Sequence, residues 1–302
     1  MLPEFLPASA SEIENTDAIA LLQQLQRRSI QTSLELETVE IATAYVYVAR
    51  EQSTTPIVLL PGFDSSLLEF RRLFPRLVAQ HPTWTIDLIG FGFTRAIPLV
   101  SICPQAIREH LLSLIQTWIA QPVILVGASL GGAVAIDFAL HYPNWVQSLV
   151  LIDSVGFSGS FPIGQWMPRS VLEFGADWLH FRKQAALSAA LTIPGMDLTL
   201  IDALRCSLLH QAMPGWKEAI VSFSQSGGYA NLDTQLGKIQ HPTLILWGTS
   251  DDVLGTKDAI RFQEAISNSE LIWIEKAGHV PHFDQSEAVA VHLSRFVHQV
   301  GS

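Results

Sequence analysis

The chain has 302 residues, enough for one large domain or two small ones with a sizeable core. At 48% hydrophobic and 15% charged residues, with mean hydropathy +0.28, it is unusually apolar, yet Asp137 interrupts its longest apolar run, which argues against a bilayer span. A formal charge of −10 without a Lys/Arg cluster argues against nucleic acid as a partner, and the distant Cys103 and Cys206 form neither a disulfide framework nor a metal site.

The start, MLPEFLPASASEIENTD, has no basic region followed by a sustained apolar one, so no secretory signal and a reducing compartment are expected. Residues 11–28 carry Ile13, Ile19, Leu22 and Leu25 at helical spacing and predict a short leading helix. Residues 37–49 put Val39, Ile41, Thr43, Tyr45 and Tyr47 on one side of an alternating pattern, a strand expected to run antiparallel to its neighbours. IVLLPGFDSS then reads as an apolar strand ending in a glycine turn, LLEFRRLFPRLVAQH as a helix, and WTIDLIGFG as a strand and turn. PQAIREHLLSLIQTWIA, VILVG, GGAVAIDFALHYP and VQSLVLIDS continue as helix, strand, helix and strand. Apolar strands alternating with amphipathic helices predict an α/β architecture, a mostly parallel sheet covered on both faces.

The pattern breaks between about residues 155 and 237, where spacing is helical, aromatics are dense and no strand is convincing. HPTLILWGTS, TKDAIRFQEAI, ELIWIEKAGH and SEAVAVHLSRFVHQ restore the alternation. The expected organisation is a core of residues 1–154 and 238–302, with residues 155–237 inserted after the sixth strand as a helical cap.

Within this frame Gly127, Ala128, Ser129, Leu130 and Gly131 spell G-x-S-x-G between a buried strand and a helix, the signature of a strained turn that exposes a nucleophilic serine. A serine needs a base and a group to orient it; the motif resembles the nucleophile elbow of the α/β-hydrolase fold, which implies the chain order Ser, acid, His. His279 follows the last strand directly and is the candidate base, with His282 a neighbouring loop histidine. The loop TSDDVLG after the preceding strand offers Asp251, third after Gly248, as the acid; Asp252 and Asp153 remain alternatives. Backbone N–H groups of Phe63 and Leu130 are the candidate oxyanion donors, and Asp64, Ser65 and Ser66 are read as caps for the helix that follows. No metal or organic cofactor has a motif.

GASLGG, WGTSD and AGHVPHFD together resemble the α/β-hydrolase superfamily over nearly the whole chain. More narrowly, LLPGFDSSLLEFRRLFPRL, WTIDLIGFGFT and VGASLGGAVAIDFALHYP resemble the chlorophyll dephytylase group of plants and cyanobacteria, with Pro61 and Ala128 departing from many relatives. The resemblance implies an α/β-hydrolase fold, a serine esterase, an apolar ester substrate (chlorophyll, cleaved to chlorophyllide and phytol) and a cytoplasmic or peripheral thylakoid location. Carboxylesterase, thioesterase and carbon–carbon hydrolase chemistries share every residue named, and a ligand receptor without turnover is the reading from another class. Phe157, Phe161, Trp166, Phe174 and Trp178 are the cap aromatics expected to meet substrate. In the cap, PRSVLEFGADWLHFRK places Arg169, Arg182 and Lys183 around Val171, Leu172, Phe174, Trp178 and Phe181, a pattern that suits a membrane surface or a lid over the site.

Overall fold

A computed structural model describes residues 1–34, 37–50, 55–95 and 100–301. Its strands are β1 (Gln26–Leu34), β2 (Glu37–Val48), β3 (Ile57–Leu60), β4 (Thr83–Ile86), β5 (Val123–Ala128), β6 (Val146–Ile152), β7 (Thr243–Gly248) and β8 (Ser269–Ile274). They form a single sheet in the order β1-β2-β4-β3-β5-β6-β7-β8. β2 pairs antiparallel with β1 and β4, as its alternating pattern predicts, and every pairing from β4 to β8 is parallel. All residues of β3, β4, β5 and β7 are buried, because helices cover both faces.

The helices of the core are α1 (Thr16–Gln24), α2 (Phe74–Leu77), α3 (Pro104–Leu114), α4 (Leu130–His141), α8 (Lys257–Ala265), α9 (Pro281–Asp284) and α10 (Ser286–Val300); between β6 and β7 lie α5 (Arg169–Thr192), α6 (Leu198–Leu209) and α7 (Trp216–Gln225). One apolar cluster packs Ile107, Leu111, Val134 and Phe262 of α3, α4 and α8 on the sheet; a second packs Leu21, Phe70, Leu77, Leu293 and Phe296 on its other face. α4 is buried on all sides but keeps Asp137, both of whose oxygens accept from Arg108 Nη1 at 3.1 Å. Among the described residues no helix is long and apolar enough to cross a membrane.

Three expectations need correction. The leading helix ends at Gln24, and β1 begins at Gln26. β1 buries Ile30, Thr32 and Leu34 in strict alternation, a period that its polar outer residues mask in sequence. The helix expected over LLEFRRLFPRLVAQH is a 3-10 turn, Leu67–Phe70, followed by the short α2, because Pro75 has no N–H to continue a helical ladder; Asp87 Oδ1 accepts the Leu67 N–H at the start of the turn at 2.6 Å. The loop before the final helix contains the unanticipated α9, with Pro281 in its first turn.

The strand order places β4 on one side of β3 and β5 on the other. A crevice therefore opens at the C-terminal ends of β3 and β5, where the chain changes direction across the sheet.

Candidate active site

Ser129 stands alone between β5 and α4 with φ 50° and ψ −115°. Positive φ strains a non-glycine residue, and the surrounding backbone holds it there. The Ser129 N–H donates to the Ile152 carbonyl at 2.9 Å, while its own carbonyl accepts from Gly132 and Val155 N–H, each at 3.0 Å. Space explains the glycines on either side. A Cβ on Gly127 would lie 2.1 Å from the Gly131 carbonyl oxygen, and one on Gly131 would lie 2.0 Å from that of Leu60. This close approach seats the N-terminus of α4 against the end of β3, with its free N–H groups beside the serine.

His279 lies in the loop after β8, with Nε2 3.1 Å from Ser129 Oγ and Nδ1 3.1 Å from Asp251 Oδ2. The Asp251 side chain is fully enclosed, and its Oδ1 accepts Val253 N–H at 2.8 Å and Leu254 N–H at 3.1 Å. One oxygen thus fixes the loop while the other accepts the imidazole Nδ1–H, leaving Nε2 as the acceptor that faces the serine hydroxyl. The loops after β7 and β8 can meet because Gly248 has no side chain: a Cβ there would stand 2.1 Å from the Gly278 carbonyl oxygen.

Asp252 is exposed. Asp153 is buried beside the pair, its Oδ1 accepting Gly248 N–H at 2.9 Å. Burial, aided by the charges of Asp251 and Asp284, pushes its carboxyl up to about 8, so in neutral solution it is mostly protonated and a poor partner for orienting a histidine. Candidate ligand atoms of Asp153, Asp251 and His279 fall within 4.8 Å of one another. A cation there would displace the His279–Asp251 hydrogen bond, and the donor set is better satisfied as an acid–histidine pair.

The β3 loop comes close to the serine: a Cβ on Gly62 would sit 3.4 Å from Ser129 Cβ. Gly62 N–H donates to Glu69 Oε2 at 3.1 Å, and buried His282 places Nε2 3.3 Å from Glu69 Oε1. Phe63 and Leu130 both line the cavity in which Ser129 stands. Ser66 caps the 3-10 turn through Leu68 N–H at 3.4 Å, but Asp64 does not cap it; its carboxylate turns to Lys183, His210, Gln211 and Trp216. Lys183 accordingly points inward and does not flank an outer apolar face.

The cavity measures about 550 Å³ and has apolar walls that include Val155, Leu172, Leu179, Ile220, Phe223 and Leu254. Phe161 and Phe174 lie on it; Phe157, Trp166 and Trp178 do not. Phe157 packs edge-on against Phe262 at 5.2 Å with the Arg261 guanidinium over its ring. α5 turns Leu172, Ala176 and Leu179 inward at helical spacing, which leaves Trp178 on the outer side beside Phe181, and Trp166 is 85% exposed. Tyr229 also lines the cavity, and no local pattern in the sequence distinguishes it from the other cap aromatics.

Residues 57–292 match the alpha/beta hydrolase family. The alpha/beta hydrolase domain-containing protein VTE7 of Arabidopsis thaliana is 32% identical over 297 residues, covering 97% of this chain and 90% of that protein. The 2-hydroxy-6-oxo-2,4-heptadienoate hydrolase of Pseudomonas putida is 26% identical over 76% of this chain and 84% of its own length. A thermophilic esterase from Thermogutta terrifontis superposes with a TM-score of 0.74 at 23% identity, over 92% of this chain and 100% of that one. A mostly parallel sheet with a serine at the sharp turn after β5, in a chain matched over most of its length by that family, makes this chain a member of the alpha/beta hydrolases.

Proposed function

We propose that the protein is a serine hydrolase of carboxylic esters and that its substrate is the phytyl ester of chlorophyll, released as chlorophyllide and phytol. The observation that carries the reading is the hydrogen-bonded line from Asp251 through His279 to Ser129, opening on an apolar cavity of about 550 Å³. His279 Nε2 takes the proton of Ser129 Oγ as the oxygen attacks the ester carbonyl, and the Phe63 and Leu130 N–H groups receive the oxyanion. Collapse of the tetrahedral adduct breaks the carbonyl–alkoxy bond, the proton on His279 leaves with phytol, and the acyl group stays on Ser129. Water then gives a proton to His279 and attacks the acyl carbonyl; the proton returns to Ser129 as the acid departs. Asp251 orients the imidazole throughout and stabilises its cationic form.

Substrate class rests on the cavity and on the motifs shared with the dephytylase group. Apolar walls without a charged side chain suit a long isoprenoid chain. Such esters reside in lipid. The exposed cap aromatics Trp166, Phe174, Trp178 and Phe181, beside the mouth residues Phe161 and Val171, support peripheral attachment to a lipid surface, the thylakoid membrane for this substrate.

The test is incubation with chlorophyll a in mild detergent, beside Ser129→Ala and a series of p-nitrophenyl esters, with chromatographic separation of products. Chlorophyllide from the wild type and none from the variant is the expected result. Hydrolysis of p-nitrophenyl esters alone would keep the serine mechanism and overturn the chlorophyll assignment; no turnover of any ester would overturn both.

A further inference from the structure

Asp64 follows Phe63 in the loop after β3 and holds a left-handed backbone conformation, φ 50°. Its side chain is buried, and the donors it meets all come from the segment between β6 and β7. Lys183 Nζ of α5 donates to Oδ2 at 2.7 Å and also to the Asp64 carbonyl at 3.2 Å. From the turn after α6, His210 Nε2 reaches Oδ1 at 3.1 Å, and Gln211 Nε2 lies 3.0 and 2.8 Å from the two oxygens. Trp216 Nε1, at the start of α7, adds a fourth side chain at 2.9 Å. Burial alone would raise this carboxyl, but the bonds and charges of His210 and Lys183 outweigh it and hold Asp64 well below the usual carboxylate range.

The position in the chain gives this cluster its meaning. The Gly62–Phe63 peptide, whose N–H is the proposed oxyanion donor, lies between Gly62, tied to Glu69 Oε2 at 3.1 Å, and Asp64, tied to three separate parts of the cap. Phe63 itself touches the cap through Phe223 of α7, with ring centroids 6.0 Å apart. An oxyanion donor stabilises a transition state only if it is already aimed, and a displacement of about 1 Å can cost 100-fold in rate. The cap holds one side of that donor through a buried carboxylate.

We propose that Asp64 is a positioning residue, through which docking of the cap sets the Phe63 N–H toward the reacting carbonyl. Substrate admission and assembly of the oxyanion site are then one event: a cap that lifts withdraws the donors of Asp64 and loosens the loop, and a cap that reseats restores it. This inference rests on the serine-hydrolase reading and names the connection between its cap and its chemistry.

The experiment compares wild type with Asp64→Asn, Lys183→Met and Trp216→Phe on a soluble p-nitrophenyl ester. Each is assayed for kcat, KM, inhibition by an alkyl boronic acid that forms a tetrahedral adduct on serine, and thermal midpoint. Expected for Asp64→Asn is a fall in kcat of about 10- to 100-fold with KM changed less than about 3-fold, and a proportional loss of boronate affinity. Lys183→Met and Trp216→Phe, each removing one donor from the cap side, give smaller losses in the same ratio and carry the test should Asp64→Asn not fold. A lowered midpoint with kcat and boronate affinity unchanged would overturn the proposal and leave Asp64 a purely structural tie. Wild type that neither turns over the ester nor reacts with a fluorophosphonate at Ser129 would instead remove the hydrolase reading, and this inference with it.

Discussion

Under the proposed mechanism Ser129→Ala removes the atom that carries the acyl group, so turnover should fall by about 10⁴-fold or more, with an unchanged thermal midpoint. Asp251→Asn keeps the shape but loses the charge that stabilises the imidazolium, and about 10⁴-fold is the expected loss in kcat. Asp153→Asn separates the two acids: because Asp153 is protonated in neutral solution, kcat should stay within about 3-fold of wild type. Its effect falls on stability. The Asp153 carboxyl holds its proton to about 8 in the fold against an ordinary value of 3.8, so the folded chain binds more protons than the unfolded one between those values. Its contribution is therefore present below that window and lost as pH rises through it. Thermal midpoints of Asp153→Asn should fall less between about pH 5 and 9 than those of wild type; parallel curves would disprove the assignment. Serine, histidine and the β7 loop were legible in sequence because each lies at a strand end whose apolar run is local. Asp64 was not, since its partners are 119 to 152 residues away and a cap residue looks the same in sequence.

Strand and helix boundaries follow from the same distinction between local and distant causes. The parallel strands were readable because burial on both faces demands continuous apolar runs, and the helical segment between β6 and β7 because it lacked them. β1 was missed: half its residues face solvent, and only pairing with β2 from Gln26↔Tyr45 to Leu34↔Glu37 makes it a strand. The helix after β3 was overextended because Pro75 inside it has no N–H, which breaks the run into a 3-10 turn and the short α2. Glycines test the packing of these elements. Gly131→Ala forces a Cβ to 2.0 Å from the Leu60 carbonyl oxygen and 2.8 Å from that of Pro61, backbone atoms that cannot yield without parting α4 from β3. Overpacking of this kind costs about 1–3 kcal/mol or more, and an insoluble protein or a markedly lowered midpoint is expected. Gly175→Ala, inside α5 and with nothing within 4 Å of the new Cβ, should instead raise stability by about 0.5–1 kcal/mol. A midpoint lowered by Gly175→Ala would mean that α5 needs that glycine for its placement.

For the molecule as a whole, the distribution of apolar surface is uneven in a way that composition could not locate. The two core clusters account for the sheet and its helices, yet Trp166, Phe174, Trp178 and Phe181 remain exposed along the cap, with Ile163 and Leu198 also uncovered. A formal charge of −10 works against attraction to anionic lipid, so attachment, if this face makes it, is driven by aromatic insertion and is nearly insensitive to salt. Each aromatic buried in the interface is worth about 1.5–3 kcal/mol at full burial, enough for a pair to change partitioning by more than 10-fold. Trp166→Glu with Trp178→Glu is the informative variant, because neither side chain lines the cavity. Co-sedimentation with vesicles of uncharged phospholipid should drop by at least about 10-fold, while hydrolysis of a soluble p-nitrophenyl ester stays at the wild-type rate. Turnover of chlorophyll presented in the same vesicles should fall with the binding, and turnover of chlorophyll in detergent should not. That pattern would separate delivery of the substrate from its chemistry: the cap's outer face would govern access from lipid, and its inner face the fit of the chain. Unchanged sedimentation would assign the exposed aromatics no part in lipid attachment.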